Sequence, residues 1–207
     1  MVLLPEKAVF LPTKKALLIA DPHFGKAAHF RKAGVPVPEA VHDSDFHRTQ
    51  QLIEKYKPED IYFLGDLFHS DFNYSWEQLE AFIQGFTETR FHLIKGNHDI
   101  LPQAIYSSSH WIIHEEQLEL DGMLLTHEPL EEIPKGQFNI CGHIHPGIML
   151  QGKGRQKLRL PCFFISGSQM VLPAFGRFTG LALMKMNQEA SAYVVTEEKV
   201  LPVKLMD

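Results

Sequence analysis

Five short apolar runs in this chain each end at side chains able to bind a metal, and that repetition limits the folds open to it. Leu17-Leu18-Ile19-Ala20 runs into Asp21-Pro22-His23, and Ile61-Tyr62-Phe63-Leu64 into Gly65-Asp66. Phe91-His92-Leu93-Ile94 leads to Gly96-Asn97-His98-Asp99, and Met123-Leu124-Leu125-Thr126 to His127. Phe138-Asn139-Ile140-Cys141 leads to Gly142-His143-Ile144-His145. Runs this short, rich in β-branched or aromatic residues and bounded by Gly or polar groups, predict buried strands. Open sheets of α/β proteins gather ligands just beyond the carboxyl ends of their strands. Donors far apart in sequence then converge on one rim.

Those donors are Asp21, His23, Asp66, Asn97, His127, His143 and His145: two carboxylates, an amide and four imidazoles. They suffice for two metal sites, with the two oxygens of Asp66 as a shared bridge. The mixture suits Mn²⁺ first, with Fe²⁺ or Zn²⁺ compatible, and the absence of thiolate disfavours a structural zinc site. Paired divalent cations can activate a water and hold both oxygens of an in-line phosphoryl displacement. His98, beside Asn97, points toward substrate, placed to stabilise or protonate the leaving oxygen. Asp99 is the carboxylate at hand to orient His98. His69, three residues past Asp66, is a candidate to reach substrate or His98.

The rest of the chain frames this centre. Val9 to Leu11 and Ala16 to Ala20 predict an opening hairpin. Residues 39 to about 57 predict a helix with Leu52, Ile53 and Tyr56 facing a sheet. Ser75-Trp76-Glu77-Gln78 predicts a capping box, with Ser75 as cap of a helix to roughly Glu88. Helical turns are expected near Lys26 to Lys32 and Leu101 to Ser108. From Trp111 onward the pattern is mostly strand. Alternating strand and helix followed by strands predicts two sheets packed face to face with helices outside. No linker-like stretch divides residues 1–207, so one domain is expected.

Composition excludes several classes. With 44% hydrophobic and 22% charged residues the chain is neither disordered nor low in complexity. A formal charge of −5 gives no global attraction to nucleic acid or to an anionic membrane. Cys141 and Cys162 both lie in apolar runs, which fits free thiols in a reducing cytosol better than a disulfide. No signal peptide or membrane span is legible, so a cytoplasmic location is expected.

The order D-x-H, G-D, G-N-H-D, H, G-H-x-H from Asp21 to His145 resembles the calcineurin-like metallophosphoesterase superfamily. The resemblance implies an α/β (α+β) fold, a four-layer αββα sandwich of two mixed β-sheets flanked by helices. It implies Asp21, His23, Asp66 and His145 around one ion, and Asp66, Asn97, His127 and His143 around the other. It also implies His98 as the catalytic histidine. Gly65-Asp66-Leu67-Phe68-His69-Ser70 lacks the Asp and Arg of protein serine/threonine phosphatases, which argues against a phosphoprotein substrate. The chain is more similar to the bacterial DNA ligase-associated metallophosphoesterase family. That likeness lies in Ala20-Asp21-Pro22-His23-Phe24-Gly25-Lys26, Phe30-Arg31-Lys32-Ala33-Gly34 and the run from Leu172 to Gly180. It implies a phosphodiesterase acting on DNA, in functional association with a DNA ligase and a helicase in repair.

Around the centre, Lys26, His29, Arg31, Tyr74 and Arg177 are candidate substrate contacts. Lys26, His29 and Arg31 also read as a solvated helical turn and Arg177 as an exposed loop cation, while Tyr74 is a candidate to stack on a base. Lys153, Arg155, Lys157 and Arg159 alternate, so in a strand they share one face. That ribbon could follow a nucleic-acid backbone, or simply guard a sheet edge. Three functions stay open: an endonuclease or phosphodiesterase on single-stranded or flapped DNA, a nucleotide or cyclic-nucleotide phosphoesterase, and a non-catalytic scaffold.

Overall fold

The computed structural model describes residues 1–25, 40–68, 74–100, 110–152, 154, 156–177 and 179–203. The expected turns near Lys26 and Leu101 lie outside them. All five apolar runs are strands. The chain opens with β1 (Val2–Leu3), β2 (Ala8–Leu11) and β3 (Ala16–Ala20). Helix α1 (Ala40–Tyr56), β4 (Asp60–Leu64), α2 (Tyr74–Gln84), β5 (Arg90–Ile94) and β6 (Trp111–His114) follow. These six strands form one mixed sheet in the order β1-β2-β3-β4-β5-β6, antiparallel up to β3 and parallel after it.

The second sheet begins with β7 (Gln117–Leu120), β8 (Met123–Thr126) and β9 (Phe138–Cys141). It continues with β10 (Pro146–Gln151), β11 (Lys157–Ser166), β12 (Gln169–Val171) and β13 (Ala182–Leu183). The order is β13-β10-β11-β12-β9-β8-β7, with β14 (Ala190–Val195) paired to β11 and β15 (Val200–Val203) to β14. It too is mixed, since β8, β9 and β12 run parallel while β7 and β11 run against them. The result is two mixed sheets packed face to face, with both described helices on the outer face of the first.

Alternation along each strand explains the layering. Leu17, Ile19, Ile61, Phe63, Phe91 and Leu93 face outward to α1 and α2, meeting Leu52 and Ile53 from one helix and Trp76, Leu79 and Ile83 from the other. Leu18, Ala20, Leu64 and Ile94 face inward, against Leu125, Ile140, Phe163, Met170 and Leu172 of the second sheet. Strand β3 and β4 from Ile61 onward are covered on both sides, so these stretches are continuously apolar rather than alternating. Each fully buried Leu or Phe contributes roughly 1.5–3 kcal/mol. A third cluster on the outer face of the second sheet gathers Ile148, Cys162, Phe164 and Val194, with Met184 and Met186 packed against it. Helix α2 departs from expectation at both ends. Tyr74 is already helical, so Ser75 lies within the helix rather than at its cap, and the helix stops at Gln84. There Gly85 and Phe86 close onto the carbonyls of Phe82 and Ile83, and the chain turns before Glu88.

A polar cluster crosses the first sheet from Asp60 and Arg90, at the amino ends of β4 and β5, to His114, the last residue of β6. Arg90 donates twice to Asp60, at 2.7 and 2.7 Å, and His92 lies 2.9 Å from Asp60 and 3.1 Å from His114. Burial pushes His92 below the usual imidazole range, only partly offset by Asp60, and burial with the His92 charge does the same to His114. Both rings bind a proton less readily folded than unfolded. Their stabilising contribution is therefore complete above about pH 6.5 and is lost as pH falls below it. In EDTA, the thermal midpoint is expected to drop between pH 7 and pH 5, with a shallower drop in a His92→Gln variant. Identical pH slopes in the two proteins would rule this cluster out as the cause.

Candidate metal centre

Every donor predicted from sequence sits just past the carboxyl end of a strand. Asp21 and His23 follow β3, Asp66 follows β4, and Asn97 and His98 follow β5. From the second sheet, His127 follows β8, and His143 and His145 follow β9. Strands β3, β4 and β5 are neighbours in one sheet, and β8 and β9 in the other, so two rims face one space. The Gly142 N–H donates to the His127 carbonyl, locking the two second-sheet loops together. The His23 N–H donates to the Asp66 carbonyl at 3.0 Å, and Phe24 to Leu67 at 2.8 Å, locking the first-sheet loops likewise.

The backbone itself marks the site. Asp21 (φ 50°), His23 (φ 47°), Asp66 (φ 50°), His143 (φ 66°) and His145 (φ 54°) all lie in the left-handed region. That conformation costs an L-residue about 1–2 kcal/mol, and such outliers persist where the surrounding structure over-determines them, as they do at functional sites. Left-handed turns at the strand ends swing these side chains off the sheet and into the shared space.

Two groups result. Asp21, His23 and His145 bring one donor atom each within 4.8 Å of one another, and Asp66, His127 and His143 do the same. Asp66 spans both: Oδ1 lies 3.4 Å from His127 Nε2 and Oδ2 lies 3.8 Å from His23 Nε2. Asn97 joins the second group, its Oδ1 lying 3.0 Å from His127 Nε2. The His127 tautomer follows from its partner. The Leu64 carbonyl, 2.9 Å from Nδ1, can only accept, so Nδ1 holds the proton. Nε2 then offers a lone pair into a space shared with Asn97 Oδ1, Asp66 Oδ1 and His143 Nδ1, the last at 3.1 Å. In the first group, Asp21 Oδ1 and His145 Nε2 are buried 3.5 Å apart without a hydrogen-bond partner among the described residues. Buried acceptors converging without donors are costly alone and fit divalent cations. Both cysteines are free and buried, and burial pushes each thiol up to about 12, so neither competes as a ligand.

The surrounding backbone positions these groups. The His143 N–H donates to Asp21 Oδ2 at 2.9 Å, and the His98 N–H to Asp66 Oδ1 at 3.1 Å. A methyl group added at Gly142 would stand 2.5 Å from Asp21 Oδ2. Only a hydrogen fits there, which gives the glycine of G-H-x-H its steric reason.

His98 is exposed beside the cluster, its ring centre 6.1 Å from that of His23. Asp99, expected to orient His98, is turned elsewhere. Its buried carboxylate accepts the Leu67 N–H at 2.9 Å and the Gly96 N–H at 2.8 Å, so it pins the loops carrying Asp66 and Asn97. Burial pushes its carboxyl up to about 6, and the two amides pull against that. Asp99 is better described as a positioning residue. Lys26, His29, Arg31, His69 and the Tyr74 side chain lie outside the described residues. Arg177 is exposed, next to Gly176, whose N–H donates to the Asp21 carbonyl.

Residues 14–145 match the family model described as calcineurin-like phosphoesterase. The chain is similar to the crystal structure of Pseudomonas putida nuclease MPE, at 28% identity over 97% of this chain and 93% of that one, with a TM-score of 0.76. The E. coli phosphoesterase Yfce aligns over 91% of this chain and 97% of that one, at 14% identity and a TM-score of 0.47. No curated protein sequence matches the chain.

Proposed function

This chain belongs to the calcineurin-like phosphoesterase family and is a metal-dependent phosphoester hydrolase; from that premise we propose that it cleaves phosphodiester bonds in DNA. The observation that carries this reading is the Asp66 carboxylate, reaching both donor groups at once. Asp21, His23, Asp66 and His145 would hold one cation, and Asp66, Asn97, His127 and His143 the other, with Mn²⁺ proposed and Fe²⁺ or Zn²⁺ able to substitute. Two such cations, when bound, neutralise phosphoryl oxygens and make water a competent nucleophile.

The chain's own residues supply the rest. The left-handed turns at Asp21, His23, Asp66, His143 and His145 hold the donors in place before substrate arrives. His98, on the open side of the cluster, donates a proton to the departing oxygen. Asp99 keeps the two loops in register through Leu67 and Gly96. A single-stranded or flapped DNA is the substrate form this reading proposes. The nuclease name of the Pseudomonas putida protein supports a polynucleotide substrate. The resemblance to ligase-associated phosphoesterases supports a repair role beside a ligase and helicase, in the cytoplasm, with residues 1–207 acting as one domain. No helix among the described residues is long and apolar enough to cross a membrane.

A His98→Ala variant is expected to lose about 10²–10⁴-fold in kcat on DNA while its thermal midpoint holds. On a diester with a nitrophenol leaving group, which departs without a proton, the loss should be far smaller. Equal losses on both substrates would deny His98 the acid role. The formal charge of −5 favours a second reading, a nucleotide or cyclic-nucleotide phosphoesterase. Comparing a single-stranded oligonucleotide with nucleotides in Mn²⁺ separates the two, and turnover of nucleotides alone would end the DNA proposal.

A further inference from the structure

We propose that a cationic cavity beside the metal centre is a second phosphate subsite, taking a backbone phosphate adjacent to the scissile one in a single-stranded polynucleotide. This rests on the reading of the chain as a DNA phosphodiesterase. The cavity, of about 690 Å³, is lined by Lys7, Arg48 and Arg177, with Glu6, Glu197 and Pro161 among the other walls. Three connections place it on the ligand rim. Lys7 precedes Ala8, which pairs with Ile19, two residues before Asp21. Pro161 pairs with Gly147, two residues after His145. Arg177 follows Gly176, whose N–H donates to the Asp21 carbonyl at 3.2 Å.

The charges there are held together against their mutual repulsion. Arg48 lies over the Phe175 ring, 3.8 Å from its centre, and donates to the Phe175 carbonyl and, at 2.9 Å, to Asp45. Its Nε is buried without a hydrogen-bond partner among the described residues. Lys7 adopts a left-handed φ of 64°. Burial and the neighbouring Arg48 push its ammonium down to about 8, which still leaves it charged at neutral pH. Asp45 neutralises Arg48, Glu6 is shared with Lys55 at 3.9 Å and Glu197 is exposed, which leaves Lys7 and Arg177 with no ion-paired carboxylate among the described residues. A half-buried Lys7 and an exposed Arg177, both without an ion-paired carboxylate among the described residues, face one cavity that can receive an anion.

The strand leading away from the cavity makes that anion part of a polymer. Lys157 and Arg159 share the face of β11 that carries Pro161, since alternate residues point the same way. Both are exposed, and β11 pairs over residues 157–161 only with β10 among the described residues. Cavity and ribbon together form one basic track leaving the metal centre, suited to successive phosphates of one strand.

The test compares the full chain with Lys7→Gln and Arg177→Gln variants. Two readouts serve: hydrolysis of thymidine oligomers of increasing length, and anisotropy of a labelled oligothymidylate in EDTA. For the unaltered chain, kcat/KM should rise about tenfold or more from the dinucleotide, which has one phosphate, to the trinucleotide, which has two. In the variants that gain should collapse, and the slope of log affinity against log salt should shallow by about one unit per lost contact. A full length gain and an unchanged salt slope in both variants would overturn the subsite while leaving DNA cleavage intact. Failure of the unaltered chain to cleave any polynucleotide would instead overturn the DNA reading, and the subsite with it. If Lys7→Gln does not fold, the exposed Arg177 side chain carries the test alone.

Discussion

Asp66→Ala is expected to abolish phosphodiester hydrolysis and to erase the stabilisation that added Mn²⁺ confers on the unaltered chain. Asp66 is the only described carboxylate that reaches donors of both groups through separate oxygens, at 3.4 Å to His127 and 3.8 Å to His23. Losing several kcal/mol of charge stabilisation, about 4 kcal/mol, corresponds to about 10³-fold in rate. The metal linkage is a second readout, independent of turnover. A ligand at 100 times its Kd stabilises the native state by about 2.7 kcal/mol. For a chain of this size that is a rise in thermal midpoint of roughly 5–10 °C, at about 2–4 °C per kcal/mol. The variant should show little of that rise. It should still fold without metal, because the substitution removes a buried acceptor from a space already crowded with acceptors. A variant that keeps both its activity and its Mn²⁺-dependent midpoint would remove Asp66 from the bridging position.

Gly65→Ala should be nearly as damaging, for a steric reason. Gly65 has φ 75°, and a Cβ there would stand 2.1 Å from His127 Nδ1, 2.4 Å from its Cγ and 2.8 Å from its Cβ. The obstructed atoms belong to the stem of His127, held by the Leu64 carbonyl, so no flexible tip can swing aside. The left-handed backbone costs about 1–2 kcal/mol with a side chain present, and overpacking adds about 1–3 kcal/mol. Together these predict a loss of about 2–5 kcal/mol, with hydrolysis down about 100-fold in the folded fraction as His127 is displaced. A double variant, Gly65→Ala with His127→Ala, distinguishes the cause. It should regain most of the stability, because the clash is gone, and none of the activity. Additive stability losses would show that the backbone, not the His127 contact, sets the cost.

What could be read in advance divides along a physical line. The five strands were legible because a strand covered on both faces must be apolar throughout, as Leu17 to Ala20 and Ile61 to Leu64 are. Helix α1 was legible because Leu52, Ile53 and Tyr56 recur at helical spacing. Ser75 is not the cap of α2 because Ser-x-x-Gln also occurs within a helix. Asp99 was misassigned because adjacency in sequence says nothing about direction. On a tight turn, His98 faces outward while Asp99 turns inward to the amides of Leu67 and Gly96.

The basic cavity was invisible for a related reason. Lys7, Arg48 and Arg177 belong to a hairpin turn, a helix and a late loop, with no spacing to connect them. Arg177 alone drew notice, through its Gly- and Pro-rich neighbourhood.

The amino-acid order by itself determined which side chains are available and that each metal-type donor ends a strand, since hydrophobic burial and chain connectivity are local properties. Tertiary structure alone decided that β3 to β5 and β8 to β9 present their carboxyl ends to one space. It also set the left-handed turns that aim Asp21, His23, Asp66, His143 and His145, and which oxygen of Asp66 faces which histidine. Those are relations between distant segments, created only when two sheets pack, and no single stretch of chain encodes them.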